Sequence, residues 1–260
     1  MKALGLLGRV YLAALFVFIF APIAASVVFS FNSDRFPTLP LGSFTTDWYA
    51  RAFSRPEVWE AIGNSLAVAA VTAVLATFIG FATAYTDFRY GFRFKQAYLA
   101  LALLPPTLPL VILGLAMLAW LSRIGLSGTL SGIVIAHVVL ASPFAMAICR
   151  LRLSQMDPAL EAAAWNLGSS PWGAMRHVIL PFCAPALVSA LCLTAAVSFD
   201  EFIVAWFVSG LNRTVPVMIL EILQGNVDPQ INAIGTVVFL TSMSLVIAAQ
   251  FLIFRRRSNG

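Results

Sequence analysis

Asp200 and Glu201 stand side by side in an otherwise apolar run, Ala184 to Ser209, of the 260-residue chain. Carboxylates inside a membrane span are costly unless they are paired or face water, so they are functional candidates by default. No Lys or Arg lies in the same run. A cationic ligand would supply the missing partner. Successive helical residues point about 100° apart, so one acid can face a pathway while the other packs or hydrogen-bonds. On a continuous helix Asp200 shares a face with Phe207, and Phe199 with Trp206. Aromatic rings beside a carboxylate suit an ammonium group through cation–π attraction. The competing expectations are that the pair is structural, hydrogen-bonding across a helix break, or that it sits near the outer interface. Glu221 is a further acid, in the segment after this run.

These residues must be carried by membrane helices. The chain is 60% hydrophobic and 10% charged, whereas a soluble domain carries about 25% charged residues. The apolar stretches are long and continuous, which favours helices over a barrel. Six spans are predicted, at about 10–31, 62–85, 97–121, 129–149, 184–209 and 232–254, within one membrane domain covering 1–260. The first reads as an uncleaved signal anchor. Most of the 16 Lys and Arg residues then fall on one side, among them Arg89, Arg93, Lys95, Arg150, Arg152, Arg176 and Arg255-Arg256-Arg257. That bias predicts both termini inside and reads the terminal arginines as a headgroup anchor. It accounts for the net charge of +5 without a nucleic-acid partner.

Chemistry of other kinds finds little support. Cys149, Cys183 and Cys192 form no CxxC pair and read as small buried hydrophobes. His137 and His177 are isolated, so no metal site is expected and ordinary buried or interfacial histidines are. No nucleophile–base constellation or P-loop stands out. Trp48 and Tyr49, in the outer loop, read as interfacial anchors. Pro105, Pro106 and Pro109 bend or break the third span, and Pro143 the fourth; each is either a pathway-lining break or a tolerated kink. The apolar Val215–Leu223 stretch is expected to form a short re-entrant or surface helix.

The inner segment of about 150–182 has its own punctuation. Asp157-Pro158 opens a helix, Gly168-Ser169-Ser170-Pro171 stops and restarts it, and Pro181 is expected to end the second piece. Trp165, Leu167 and Trp172 would then expose apolar surface, as protein interfaces do. Glu161-Ala162-Ala163-Ala164-Trp165-Asn166-Leu167-Gly168, followed by Val178-Ile179-Leu180-Pro181, resembles the EAA loop of the membrane subunits of type I ABC importers. The spacing from Gly168 to Pro181 matches the family pattern. Glu161 falls one residue ahead of the family's Glu.

Thr46-Asp47-Trp48-Tyr49, Ser198-Phe199-Asp200-Glu201-Phe202, Phe207-Val208-Ser209-Gly210 and Asp228-Pro229-Gln230-Ile231-Asn232-Ala233 are similar, within that family, to the spermidine/putrescine-type permeases. The resemblance implies a six-helix permease fold in the bacterial inner membrane. It implies a sister permease subunit, two ATP-binding cassette subunits and a periplasmic substrate-binding protein as partners. ATP and Mg would bind the ATPase and no cofactor this chain. The short inner helix would dock in an ATPase cleft through Glu161, Ala162, Ala163, Trp165, Asn166, Leu167, Gly168, Arg176 and Pro181. With Glu161 out of register, its contact to the ATPase is expected to be absent or differently aimed. Arg150, Arg152 and Arg176 are either partners for acidic ATPase residues or topology markers. The cargo would be a polyamine or a related cationic nitrogen compound. Other cargoes (an aminophosphonate, an opine-like compound, iron) and an ATP-independent carrier are the alternatives.

Overall fold

A computed structural model describes residues 5–36, 38–157, 159–225, 229–241 and 243–244. These residues are helical throughout their ordered elements; an isolated bridge between Asn32 and Phe44 is the sole extended pairing among them. The helices are α1 (Leu6–Phe29), α2 (Asp47–Phe53), α3 (Pro56–Arg89), α4 (Lys95–Leu103), α5 (Leu110–Arg123), α6 (Leu130–Leu153), α7 (Ala159–Asn166), α8 (Pro171–Ala174), α9 (Leu180–Asp200), α10 (Ile203–Val208), α11 (Val215–Gly225) and α12 (Gln230–Thr241). By length and composition, α1, α3, α6 and the continuous Pro171–Asp200 stretch could each cross a membrane. The remainder of the expected sixth span, together with Pro158, Asp228 and Arg255-Arg256-Arg257, lies outside the described residues.

The prolines sort by what surrounds them. Pro105, Pro106 and Pro109 break the expected third span into α4, a 3-10 turn (Pro105–Thr107) and α5. Successive prolines there remove neighbouring backbone donors and clash with preceding carbonyls. Pro143 and Pro22 are carried inside unbroken α6 and α1. Pro181 does not end the second piece of the inner segment, contrary to expectation. A π-helical turn over Met175–Ile179 precedes it, and the helix continues to Asp200. The wider turn makes room where the proline ring would meet the carbonyl four residues back.

The chain divides into two compact units. In the unit formed by Met1–Trp59 and Ile219–Ile247, the Trp48 indole donates to the Asn32 carbonyl at 2.7 Å and Tyr49 bonds Ser30 at 2.7 Å. Both aromatics are thus tied to the end of α1 through their polar groups. Ser26 of α1 donates to Asn232 of α12 at 3.3 Å.

The second unit, from Glu60 to Met218, holds two apolar clusters. One joins Leu113, Met117 and Leu121 of α5, Ile133, Ala136 and Leu140 of α6, and Val204, Ala205 and Val208 of α10. The other joins Ala84, Met146, Cys149, Leu153, Ile179, Cys183 and Ala190. Cys149 and Cys183 are buried as expected, whereas Cys192 of α9 is exposed. Gly80 lets α3 and α6 touch, since a Cβ there would sit 2.6 Å from the Met146 amide nitrogen. Gly128 and Gly210 both have positive φ, and a Cβ on Gly210 would fall 2.9 Å from the Gly128 Cα. Only glycine tolerates both demands at once, so the α5–α6 and α10–α11 connections meet backbone to backbone.

Candidate functional site

The fifth apolar run breaks at its acids. α9 ends at Asp200, Glu201 is extended (φ −73, ψ 122), and α10 starts at Ile203. No proline or glycine lies at the break; Glu201 makes it. Val204 N–H donates to its Oε1 at 3.1 Å and Ala205 N–H to its Oε2 at 3.0 Å. The carboxylate thereby takes two otherwise unpartnered donors at the positive end of α10. On its other side the fully buried His137 places Nε2 3.6 Å from Oε2, while its Nδ1 pairs with the Ser198 hydroxyl at 2.8 Å. A six-residue helix is too short to hold by itself. α10 is held by this cap and by burial of Val204, Ala205 and Val208.

The two acids therefore separate. Glu201 is 8% exposed and satisfied within the chain, so a helix N-terminus and a histidine, rather than a cationic ligand, are its partners. Asp200 is exposed, and no ion pair to it occurs among the described residues. The shared faces expected for Asp200 with Phe207 and Phe199 with Trp206 do not form, because extended Glu201 interrupts the helical phase. Phe207 is half-buried and packs on Gly114, where a Cβ would come 2.5 Å from its ring. Trp206 is exposed, Phe199 half-buried, and Glu221 half-buried on α11. His137 and Ser198 join the site from positions 61 residues apart. The sequence signal available was a histidine in mid-span, a group that buried carboxylates elsewhere in the chain could need.

The inner segment forms the second constellation. α7 ends in a left-handed Gly168 (φ +84), with Gly168 N–H on the Trp165 carbonyl and Ser169 N–H on the Ala164 carbonyl. The chain then turns into α8, where Ser170 caps Gly173 N–H at 3.1 Å. Glu161 is buried and turned inward: Arg89 Nε, at the last residue of α3, lies 3.2 Å from its Oε1. The same guanidinium sits 4.8 Å over the Trp165 ring. The outward side of the segment presents Ala162, Ala163, Asn166, Leu167 (89% exposed), Trp172 (71% exposed), Arg176 and Pro181. Arg150 and Arg152 are engaged within the chain. Arg150 pairs with Asp87 at 2.6 Å, and Arg152 donates to the Phe182 carbonyl at 3.0 Å while stacking on its ring.

An exposed apolar loop at one end of a helical membrane unit, and an open carboxylate where a span breaks, suit a transport subunit that touches a second protein. The model of the binding-protein-dependent transport system inner membrane component family matches residues 76–259. The chain belongs to this family.

This transport component is 31% identical over 254 residues to the spermidine/putrescine transport system permease protein PotC of Haemophilus influenzae, covering 97% of this chain and 98% of that one. It is also 31% identical over 231 residues to the putrescine transport system permease protein PotI of Escherichia coli, covering 86% and 82%. Among solved structures it resembles a subunit of a bacterial ABC transporter involved in the import of the acidic polysaccharide alginate, with a TM-score of 0.75 at 15% identity over 96% of this chain and 95% of that one. That likeness shows the ABC importer permease fold. The family match begins within α3 and takes in both the α7–α8 segment and the break at Glu201.

Proposed function

We propose that the chain is the membrane-spanning permease subunit of an ATP-driven importer that moves a polyamine, or a related cationic nitrogen compound, across the bacterial inner membrane. The observation that carries the reading is the end-to-end alignment with a spermidine/putrescine permease; the open Asp200 agrees with a cationic cargo. In this reading the chain threads the membrane six times with both termini inside and forms a single permease domain. It pairs with a sister permease. Two ATPase subunits, which bind ATP and Mg, dock beneath the α7–α8 segment, and a periplasmic protein delivers the cargo. Leu167 and Trp172 supply the apolar contact to the ATPase, since large exposed side chains on a rigid turn are what interface hot spots are made of. Asp200, with Trp206 and Phe199 nearby in sequence, would meet the ammonium groups of the cargo, while Glu201 holds the break that presents Asp200. Transport is by alternating access driven from the ATPase.

The test is uptake of radiolabelled spermidine and putrescine into proteoliposomes holding the co-purified complex and its binding protein. Uptake that requires ATP and falls when Asp200→Asn is introduced is the expected result. ATP-dependent uptake of neither polyamine would remove the cargo assignment and leave the subunit class standing. Transport by the isolated chain without ATP would remove the class.

A further inference from the structure

Arg89 occupies an unusual position. It is the last residue of α3, a 34-residue helix, and its one guanidinium grips α7 twice: the buried Glu161 carboxylate at 3.2 Å and the face of Trp165 at 4.8 Å. Glu161 and Trp165 are four residues apart, so they share one face of α7. The planar guanidinium can bond a carboxylate in its plane while stacking on an aromatic ring, which an ammonium cannot do. The opposite side of the segment stays bare. α7 thus has one exposed face and one face held to α3.

α3 is in turn fixed along its length within the same unit. Asp87, two residues before Arg89, pairs with Arg150 of α6 and Lys95 of α4. Gly80 brings its backbone against α6, and Thr77 meets Thr194 of α9 at 3.4 Å. Toward its other end, Asn64 donates to the Arg213 carbonyl at 3.0 Å, and the Ser65 hydroxyl accepts from Val215 N–H at 2.8 Å. From Ser65 to Arg89 the helix rises about 36 Å at 1.5 Å per residue.

We propose that Arg89 is the positioning residue that joins α7 to α3, so that displacement of α7 by its partner is carried along α3 to the Arg213–Val215 segment. Glu161, one residue out of the family register, serves this internal clamp rather than the partner. The proposal rests on the reading of α7–α8 as the ATPase docking element and adds the route by which docking moves the rest of the subunit. A rigid, continuously bonded helix with fixed contacts at both ends is the kind of element that carries such coupling.

Hydrogen–deuterium exchange on the assembled complex, nucleotide-free against ATP–vanadate-trapped, tests it. In the wild type, exchange changes in α7, in residues 85–90 and in residues 213–216. In Arg89→Gln the change in α7 remains while those at 85–90 and 213–216 are lost, and spermidine uptake falls by roughly 2- to 30-fold. Arg89→Lys, which keeps the charge and loses the stack, falls between. Persistence of the changes at 85–90 and 213–216 in Arg89→Gln overturns the clamp. Absence of any α7 change in the wild-type complex overturns the docking reading, and the clamp with it. If Arg89→Gln fails to assemble, Glu161→Gln and Trp165→Leu each remove one contact; unaltered exchange at 85–90 and 213–216 in both overturns the proposal.

Discussion

The polar constellation at the Glu201 break and the one at the α7–α8 segment are built on opposite plans. At the break Glu201 turns inward with its neighbours, while Asp200 stays exposed: the Glu201 carboxylate caps α10, His137 faces it, and Ser198 bonds the histidine. At the α7–α8 segment the polar work is also internal, through Glu161 and Arg89, yet apolar side chains point out. The first arrangement takes up two α10 amides that would otherwise be left bare, and an unsatisfied buried group in a membrane interior costs several kcal/mol. The second would suit the proposed docking element, with rigidity from the inner face and contact area from the outer. Sites of the first kind therefore fail by losing stability, and sites of the second kind by losing a partner.

The largest expected effect breaks the first arrangement. Glu201→Leu strips two α10 amides of their acceptor at once, and about 2–4 kcal/mol of stability is expected to go. A markedly lower melting temperature of the purified subunit in detergent checks this; melting at the wild-type temperature would show that the cap contributes nothing. Next, Leu167→Asp combined with Trp172→Ala is expected to leave the melting temperature unchanged while weakening recovery of the ATPase in pull-down by about tenfold or more, the size of a lost hot spot. Retained ATPase would move the docking surface elsewhere. Gly168→Ala falls between the two plans. Its φ of +84 strains any β-carbon, so a loss of about 1 kcal/mol in stability is expected, together with a smaller drop in ATPase recovery. The smallest structural effect belongs to Asp200→Asn. With Asp200 exposed and without an ion pair among the described residues, its melting temperature is expected to move by less than the equivalent of about 0.5 kcal/mol. Unfolding as severe as that of Glu201→Leu would erase the distinction between the two acids.

The helical membrane class was legible from composition and from runs of apolar residues, because these signals are long and local. The turn at Gly168 and the cap at Ser170 were legible for the same reason, each being a rule about neighbours. The pairing of Glu161 with Arg89 was foreshadowed only as a misplaced glutamate; its destination lies 72 positions away in sequence, at the end of another helix. The break at Glu201 was hidden because no glycine or proline marks it. The residue that causes it looks, in one dimension, like a pathway acid. Its partner His137 looked isolated because isolation along the chain says nothing about a neighbour on α9. Pro181 misled in the opposite direction, a stop signal absorbed by a wider turn.

That wider turn has a consequence for chain length. A π-helical turn holds one residue more than an α-helical turn would need. Removing a residue between Met175 and Ile179 would restore ordinary winding and leave Trp172 and Asp200 facing nearly as they do now, because the wider turn already takes up the extra position. It would also return the Pro181 ring to collision with a carbonyl. In the regular α-helix from Leu180 to Asp200 the gain or loss of a single position would instead turn the two ends by about 100° relative to each other: there the count itself is a dimension of the machine.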